Sequence, residues 1–206
     1  MKHLRIALMA LLATSQILAT PAAAAQPQSQ RIVLAGGCFW GMQAVFERVR
    51  GVTSTSVGYA GGRAATAHYD IVSADHTRHA EVVAIDYNPR VISTMELLKI
   101  FFTVAHDPTQ VGHEGPDYGP QYRSEIFYTT AGQLHDAKTM ISELSRNRAF
   151  SNPISTTLAR LPAFYPAESY HQHFADKNPD NSYIVINDEP KVRDLQAKFP
   201  ALVRKH

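Results

Sequence analysis

Cysteine is almost absent from this chain: Cys38 stands alone, so no internal disulfide can form. Tryptophan is as scarce, and the single one, Trp40, lies two residues from that cysteine. A marked excess of charge of one sign is missing too. A formal net charge of +2 with no cluster of Lys and Arg gives no nucleic-acid footprint. The apolar run Ile6 to Ala13 is broken by Thr14, Ser15 and Gln16, well short of the roughly 20 residues a membrane-spanning helix needs. Internal repeats and low-complexity tracts are lacking, which leaves solenoids and fibrous assemblies without support.

The N-terminus has the layout of a secretory signal. Lys2 and Arg5 form a basic start, Ile6 to Ala13 an apolar stretch, and Ala23-Ala24-Ala25 a small-residue cleavage site. Residues 1–25 are expected to be a signal peptide, and residues 26–206 a single domain working in the periplasm or outside the cell. Cleavage takes away two cations and no acid, so the mature chain is formally neutral. The roughly 180 residues left suit one domain with a sizeable core. In an oxidising compartment a lone thiol, if catalytic, needs an external reductant.

The hydrophobic pattern orders the chain. Arg31 to Ala35 is β-prone and Met42 to Arg50 has helical spacing; Val52 to Tyr59 and Glu81 to Tyr87 are β-prone again. Ser93 with Glu96 predicts a capped helix through about Val104, Ser124 to Tyr128 a strand, and Thr130 with Gln133 a second capped helix toward Asn147. Strand, helix, strand, strand, helix, strand is the order of an α+β two-layer sandwich with a ferredoxin-like β-α-β-β-α-β core. Ile154 to Ala159 is expected as a further strand, Ser169 to Ala175 as a short helix, and Asn178 onward as an irregular C-terminal extension ending in a short helix. Two long loops, Ala64 to His79 and Asp107 to Tyr122, interrupt this frame, and long loops in compact domains are usually functional.

Gly36-Gly37-Cys38-Phe39-Trp40-Gly41 sits between a strand and a helix, so the thiol is expected near a helix N-terminus, where the field of unpaired N–H groups favours a thiolate. Phe39 and Trp40 offer aromatic walls to an apolar ligand. Against this stands a buried cysteine acting as a small hydrophobe. Glu81 enters an apolar strand; burial keeps a carboxyl protonated and makes it a general acid, whereas an exposed strand-edge glutamate does nothing of the kind. Tyr69 lies in the first loop and Tyr122 closes the second; unless they are ordinary amphipathic core, they carry uncharged donors suited to holding a polar oxygen. Asp117, between Pro116 and Tyr118, serves either as a turn residue or to orient a donor. His76, His79 and Glu81, and the pair His171 and His173, match no zinc spacing. A cysteine hydrolase would pair Cys38 with His106 or His171, and this alternative stays open.

Together these segments resemble the A-type methionine sulfoxide reductases. The cysteine motif, Gly58-Tyr59-Ala60-Gly61-Gly62, His79-Ala80-Glu81-Val82-Val83, His106-Asp107-Pro108-Thr109, Gly115-Pro116-Asp117-Tyr118-Gly119-Pro120-Gln121-Tyr122-Arg123-Ser124 and Phe164-Tyr165-Pro166-Ala167-Glu168 carry the likeness in order. The resemblance implies that Cys38 attacks the sulfur of an S-sulfoxide and Glu81 protonates the oxygen. It implies further that Tyr69 and Tyr122 hold that oxygen, Phe39 and Trp40 receive the methyl group, and Asp117 positions the substrate. It implies the S epimer and no metal or organic cofactor; methionine sulfoxide, free or in peptides or proteins, is the expected substrate, and the protein is expected to be a monomer. Its reductant is an external thiol such as a thioredoxin-like protein. The chain departs from the family pattern at Thr66-Ala67-His68 before Tyr69, at Gln43 and at Arg78, and it lacks a second cysteine to resolve a sulfenic acid. Other cysteine chemistry, a peroxidase or hydrolase, and a non-catalytic binder of oxidised methionine are the competing readings.

Overall fold

The computed structural model describes residues 29–204; the signal-like segment and the leader up to Gln28 lie outside them. At its centre is β1 (Gln30–Ala35), followed by α1 (Phe39–Phe46), β2 (Val52–Ala60), α2 (Tyr69–Val72), β3 (Ala80–Tyr87) and α3 (Thr94–Ile100). A two-residue hairpin, β4 (His113–Glu114) with β5 (Asp117–Tyr118), precedes β6 (Glu125–Tyr128) and α4 (Ala131–Arg146). The chain ends with β7 (Thr157–Arg160), β8 (Phe164–Pro166), α5 (Phe174–Lys177) and α6 (Glu189–Lys198).

The main sheet runs β7-β6-β1-β3-β2-β8, all antiparallel except β6 with β7. Its four central strands have the ferredoxin-like order, so the expected α+β core is present. Alternation along the strands separates two faces. Ile32, Leu34, Val83, Ile85 and Ile126 meet Met42, Val45 and Phe46 of α1, Leu97 and Leu98 of α3, and Met140 of α4 in the main core. The other face carries smaller side chains, Val33, Ala35, Ala80, Val82 and Ala84, with Phe127. Glu81 shares the parity of Val83, Ile85 and Tyr87. It therefore points to the helical side of the sheet, and at the strand's beginning that side is the N-terminus of α1.

Several elements differ in detail from the sequence expectation. The first helix begins at Phe39 and ends at Phe46 rather than spanning Met42 to Arg50. The Ser93–Glu96 box forms in full, and the helix it opens continues as a π-helical turn, Phe101–Ala105, close to the expected end. The second box forms by half: Thr130 Oγ1 accepts from the Gln133 N–H, while the Gln133 amide oxygen accepts from Thr129 N–H, one residue earlier than a box requires. Both long loops contain short elements, α2 in one and the β4–β5 hairpin in the other. The strand expected over Ile154 to Ala159 forms as Thr157–Arg160, led into register by its parallel pairing with β6.

Ser169 to Ala175 is not a helix. Its first residues form isolated turns, and His173 adopts a left-handed conformation (φ 55°) that stops any continuation, so α5 starts only at Phe174. The cause is Gln172, whose side-chain amide accepts from Val57 N–H (3.0 Å) and donates to Val57 O (2.9 Å) and Ala167 O (3.0 Å), standing in for a strand neighbour of β2. Beyond Asn178 the chain is more regular than expected: a π-helical turn, Ile184–Asp188, leads directly into the ten-residue α6. Both pack on α1.

Candidate active site

Cys38 is the N-cap residue of α1 and is 8% exposed. The turn before it depends on Gly37, at φ 85°, where a β-carbon would strike the Glu114 side chain. A cavity of about 80 Å³ reaches the cysteine, lined by Cys38, Glu114, Asp117, Tyr183, Asn187 and Lys191. A larger cleft of about 460 Å³, lined among others by Glu47, Arg48 and His173, is a polar surface groove that does not reach Cys38.

The helix N-terminus does not deliver the expected thiolate. Burial pushes the Cys38 thiol well above its usual range, and Glu81, Asp188 and Asp117 add to the shift; the Trp40 backbone N–H opposes it without prevailing. Removing a charge from water and surrounding it with three acids outweighs half a helix dipole. The acid is as striking in its burial as the thiol: Glu81 is 3% exposed and its Oε2 accepts from Phe39 N–H at 3.1 Å. Burial first, with Asp117 adding, raises it to about 8 although the Phe39 N–H pulls the other way. At neutral pH Glu81 therefore carries a proton, at the start of the helix that Cys38 caps.

The two loops bring the remaining residues to the same place. Tyr69 opens α2, and Tyr122 ends a short 3₁₀ turn, Pro120–Tyr122. Both hydroxyls are held in the neutral form by burial, with Glu81 and Cys38 near enough to contribute. Asp117, on β5, accepts a hydrogen bond from the Tyr183 hydroxyl. Burial raises its carboxyl, and that hydrogen bond and Lys191 oppose the rise. Phe39 packs under the cysteine against Tyr59, at 6.0 Å between ring centroids. Trp40 is stacked on Phe174 (3.9 Å, 12°) with Tyr183 edge-on to it. All seven residues singled out in the sequence thus converge on the N-terminus of α1.

Other members of the site were not foreseen. Tyr183, Asn187, Asp188 and Lys191 come from the segment expected to be irregular, and nothing in their local pattern marks them. Glu168 holds two site elements together, accepting from Tyr59 Oη–H at 2.9 Å and from Tyr69 N–H at 3.0 Å. Glu114, raised to about 7 by burial, forms the floor beneath Gly37.

The histidines settle the choice of cysteine chemistry. Both ring nitrogens of His106 are engaged, Nδ1 with Phe101 O (2.9 Å) and Nε2 with Ser124 Oγ (2.7 Å), and burial lowers it to about 4. His171 accepts from the Trp40 indole N–H through Nδ1 at 3.1 Å, and its Nε2 has no partner. His79 Nε2 meets Arg63 O instead of gathering with His76 and Glu81. Among the described residues no imidazole is hydrogen-bonded to Cys38, so the base of a cysteine hydrolase is not in place.

A cysteine faced by a protonated carboxyl and neutral phenols, with no histidine base, is the equipment of a thiol-dependent oxidoreductase. Comparison with known proteins makes this specific. The family model for peptide methionine sulfoxide reductase matches residues 30–202. A Synechocystis protein named peptide methionine sulfoxide reductase MsrA 2 is 48% identical over 171 residues, 83% of this chain and 80% of its own length. The reduced form of Mxr1 from Saccharomyces cerevisiae superposes with a TM-score of 0.70 at 35% identity, covering 75% of this chain and 88% of Mxr1. Mxr1 in complex with Trx2 matches with a TM-score of 0.50 at 27% identity, over 77% of this chain and 90% of that one. The chain belongs to the peptide methionine sulfoxide reductase family, and its activity is the thiol-dependent reduction of methionine sulfoxide.

Proposed function

We propose that the protein reduces the S epimer of methionine sulfoxide, free or in peptides, through a sulfenic acid on Cys38, and repairs exported proteins. The observation that carries the chemistry is the buried Glu81 carboxyl, protonated at neutral pH and fixed to the first N–H of the helix that Cys38 caps. Substrate binds with its methyl group between Phe39 and Trp40 and its oxygen toward Glu81, Tyr69 and Tyr122. Glu81 gives its proton to the oxygen as the Cys38 sulfur attacks the sulfoxide sulfur, and the proton that Cys38 loses returns to Glu81. Oxygen then passes to Cys38: methionine leaves as the thioether, its sulfur reduced by two electrons, and Cys38 is oxidised by two to a sulfenic acid. Asp117, steadied by Tyr183, positions the substrate at the mouth.

With a single cysteine, the return half of the cycle belongs to an external thiol. Its thiolate attacks the sulfenic sulfur, water leaves, and a mixed disulfide forms; a second thiol releases Cys38. A thioredoxin-like dithiol protein fits this role, as the complex of yeast Mxr1 with Trx2 suggests for a relative. No second copy of the chain is needed to complete the site. Residues 1–25 act as a cleaved export signal, which puts the enzyme in the periplasm or outside the cell. Incubation of purified protein with methionine S-sulfoxide and dithiothreitol tests the reading: thioether should appear, and Cys38→Ser should yield none. Appreciable turnover by that variant overturns the assignment of the nucleophile.

A further inference from the structure

Among the described residues, Asp188 is the least comfortable carboxylate. It is wholly buried, and neither carboxylate oxygen has a hydrogen-bond partner. The nearest cation, Lys191 Nζ, stands 3.7 Å from Oδ1, beyond hydrogen-bond reach. Buried carboxylates without hydrogen bonds cost stability, and each one calls for an explanation. Its position supplies one. The carboxylate lies against Gly41 in the first turn of α1, so close that any β-carbon at that position would collide with it. The first turn of α1 has no acidic residue of its own, and its N-cap is Cys38.

A helix N-terminus offers one region of positive field, and here a carboxylate and a thiol compete for it. We infer that Asp188 is a positioning residue that adds to the protonated state of Cys38: its buried carboxylate takes up the field at the start of α1 and so helps keep the single cysteine a thiol between turnovers. The benefit is protection. Peroxide oxidises thiolates: the sulfur attacks one peroxide oxygen, the O–O bond breaks, water leaves after protonation, and sulfur loses two electrons while peroxide gains them. An enzyme that has no internal cysteine to rescue its sulfenic acid gains by keeping the resting sulfur unreactive.

The charge balance around both groups supports the sign. Cys38 is faced by Glu81 from β3, Glu114 from β4, Asp117 from β5, Lys191 from α6 and the phenols of Tyr69, Tyr122 and Tyr183; after burial and Glu81, Asp188 raises it more than Asp117 does. Asp188 itself is raised to about 6, by burial first, with Lys191 opposing and Asp117 adding, so it is ionised at neutral pH. Glu189, Arg48 and Asp176 share with it the wall of a cleft of about 310 Å³ on the far side. Arg48 is taken up by Glu47 and Asp176, which leaves Lys191 as the counter-charge of Asp188.

The inference rests on Cys38 being the nucleophile, yet its test reads thiol charge directly and needs no turnover. The rate of iodoacetamide alkylation of the reduced protein is followed against pH by intact mass, for the parent, Asp188→Asn and Asp188→Asn/Lys191→Gln. Asp188→Asn removes the acid and leaves the lysine, so the midpoint should fall by about one pH unit and alkylation at pH 7.5 should rise about tenfold. Inactivation by hydrogen peroxide should accelerate in step. The double variant, neutral at both positions, should lie between Asp188→Asn and the parent. Asp188→Ser, smaller and equally neutral, carries the same expectation if the asparagine variant does not fold. A midpoint that stays put or rises on loss of the acid, or a double variant below the single one, overturns the inference. Failure of sulfoxide turnover with these shifts intact would instead count against the reading of the reaction.

Discussion

Replacing Glu81 by Gln isolates the proton donor with little disturbance, because the amide oxygen can still accept from Phe39 N–H, the bond the carboxyl makes at 3.1 Å. What the variant loses is an acid. At its ordinary value of 4.5 a glutamate would be protonated in about one molecule in three hundred at pH 7; at about 8 it is protonated in about nine of ten. Burial therefore supplies most of the acid the reaction uses, and general acid catalysis is commonly worth 10²- to 10⁴-fold, about 3 to 5 kcal/mol in the barrier. The parent should keep its rate below pH 8 and lose it as pH rises through that value, because the protonated form is the active one. Glu81→Gln should be slower by the stated factor and lack that alkaline limb. Methionine release in a single turnover between pH 6 and 9.5 separates this step from reductant-dependent steps. A variant with the parent's rate, or one that is slow but keeps the same alkaline limb, refutes the assignment of Glu81 as the acid.

Three further outcomes are expected. Tyr69→Phe and Tyr122→Phe should each lower kcat by roughly tenfold or more and the double variant further, since removing one oxyanion donor costs on the order of 10²; a double variant no worse than either single would show that the hydroxyls do not share the oxygen. Gln172→Ala should destabilise the fold by about 1 to 3 kcal/mol, because Val57 N–H and its buried neighbours lose their partner, and a denaturant midpoint equal to the parent's would count against its role as a strand substitute. Protein recovered from its native compartment should begin near Gln26, and an intact Met1 form there, found by mass spectrometry, would contradict export.

The parts of the site that could be read in the sequence are those whose chemistry is local. Gly37 announces the turn that Cys38 follows, and Ser93 with Glu96 announces its helix, because these depend on neighbours a few residues away. Glu81 was visible as an acid in an apolar strand, and strand parity fixed which face it meets. The charge state of Cys38 was not visible. It depends on burial first and then on Glu81, on Asp188, 150 positions later in the chain and brought to α1 by packing of the C-terminal segment, and on Asp117 from β5. Tyr183 and Lys191 were hidden for the same reason: α6 and the π-helical turn before it carry a weak apolar stripe, and only their docking gives those side chains a role. Gln172 misled the pattern, since a residue of good helix propensity serves β2 with its side chain.

The central claim is that one cysteine carries the oxidised half of the cycle alone. Reduced protein mixed with excess methionine S-sulfoxide and no thiol tests it in one experiment, by counting the methionine released and trapping the protein with dimedone. The account predicts a burst of about one methionine per protein, an adduct on Cys38, and renewed turnover once a thiol is added. Continued turnover without a reductant, or a full burst with the adduct on another residue, contradicts it.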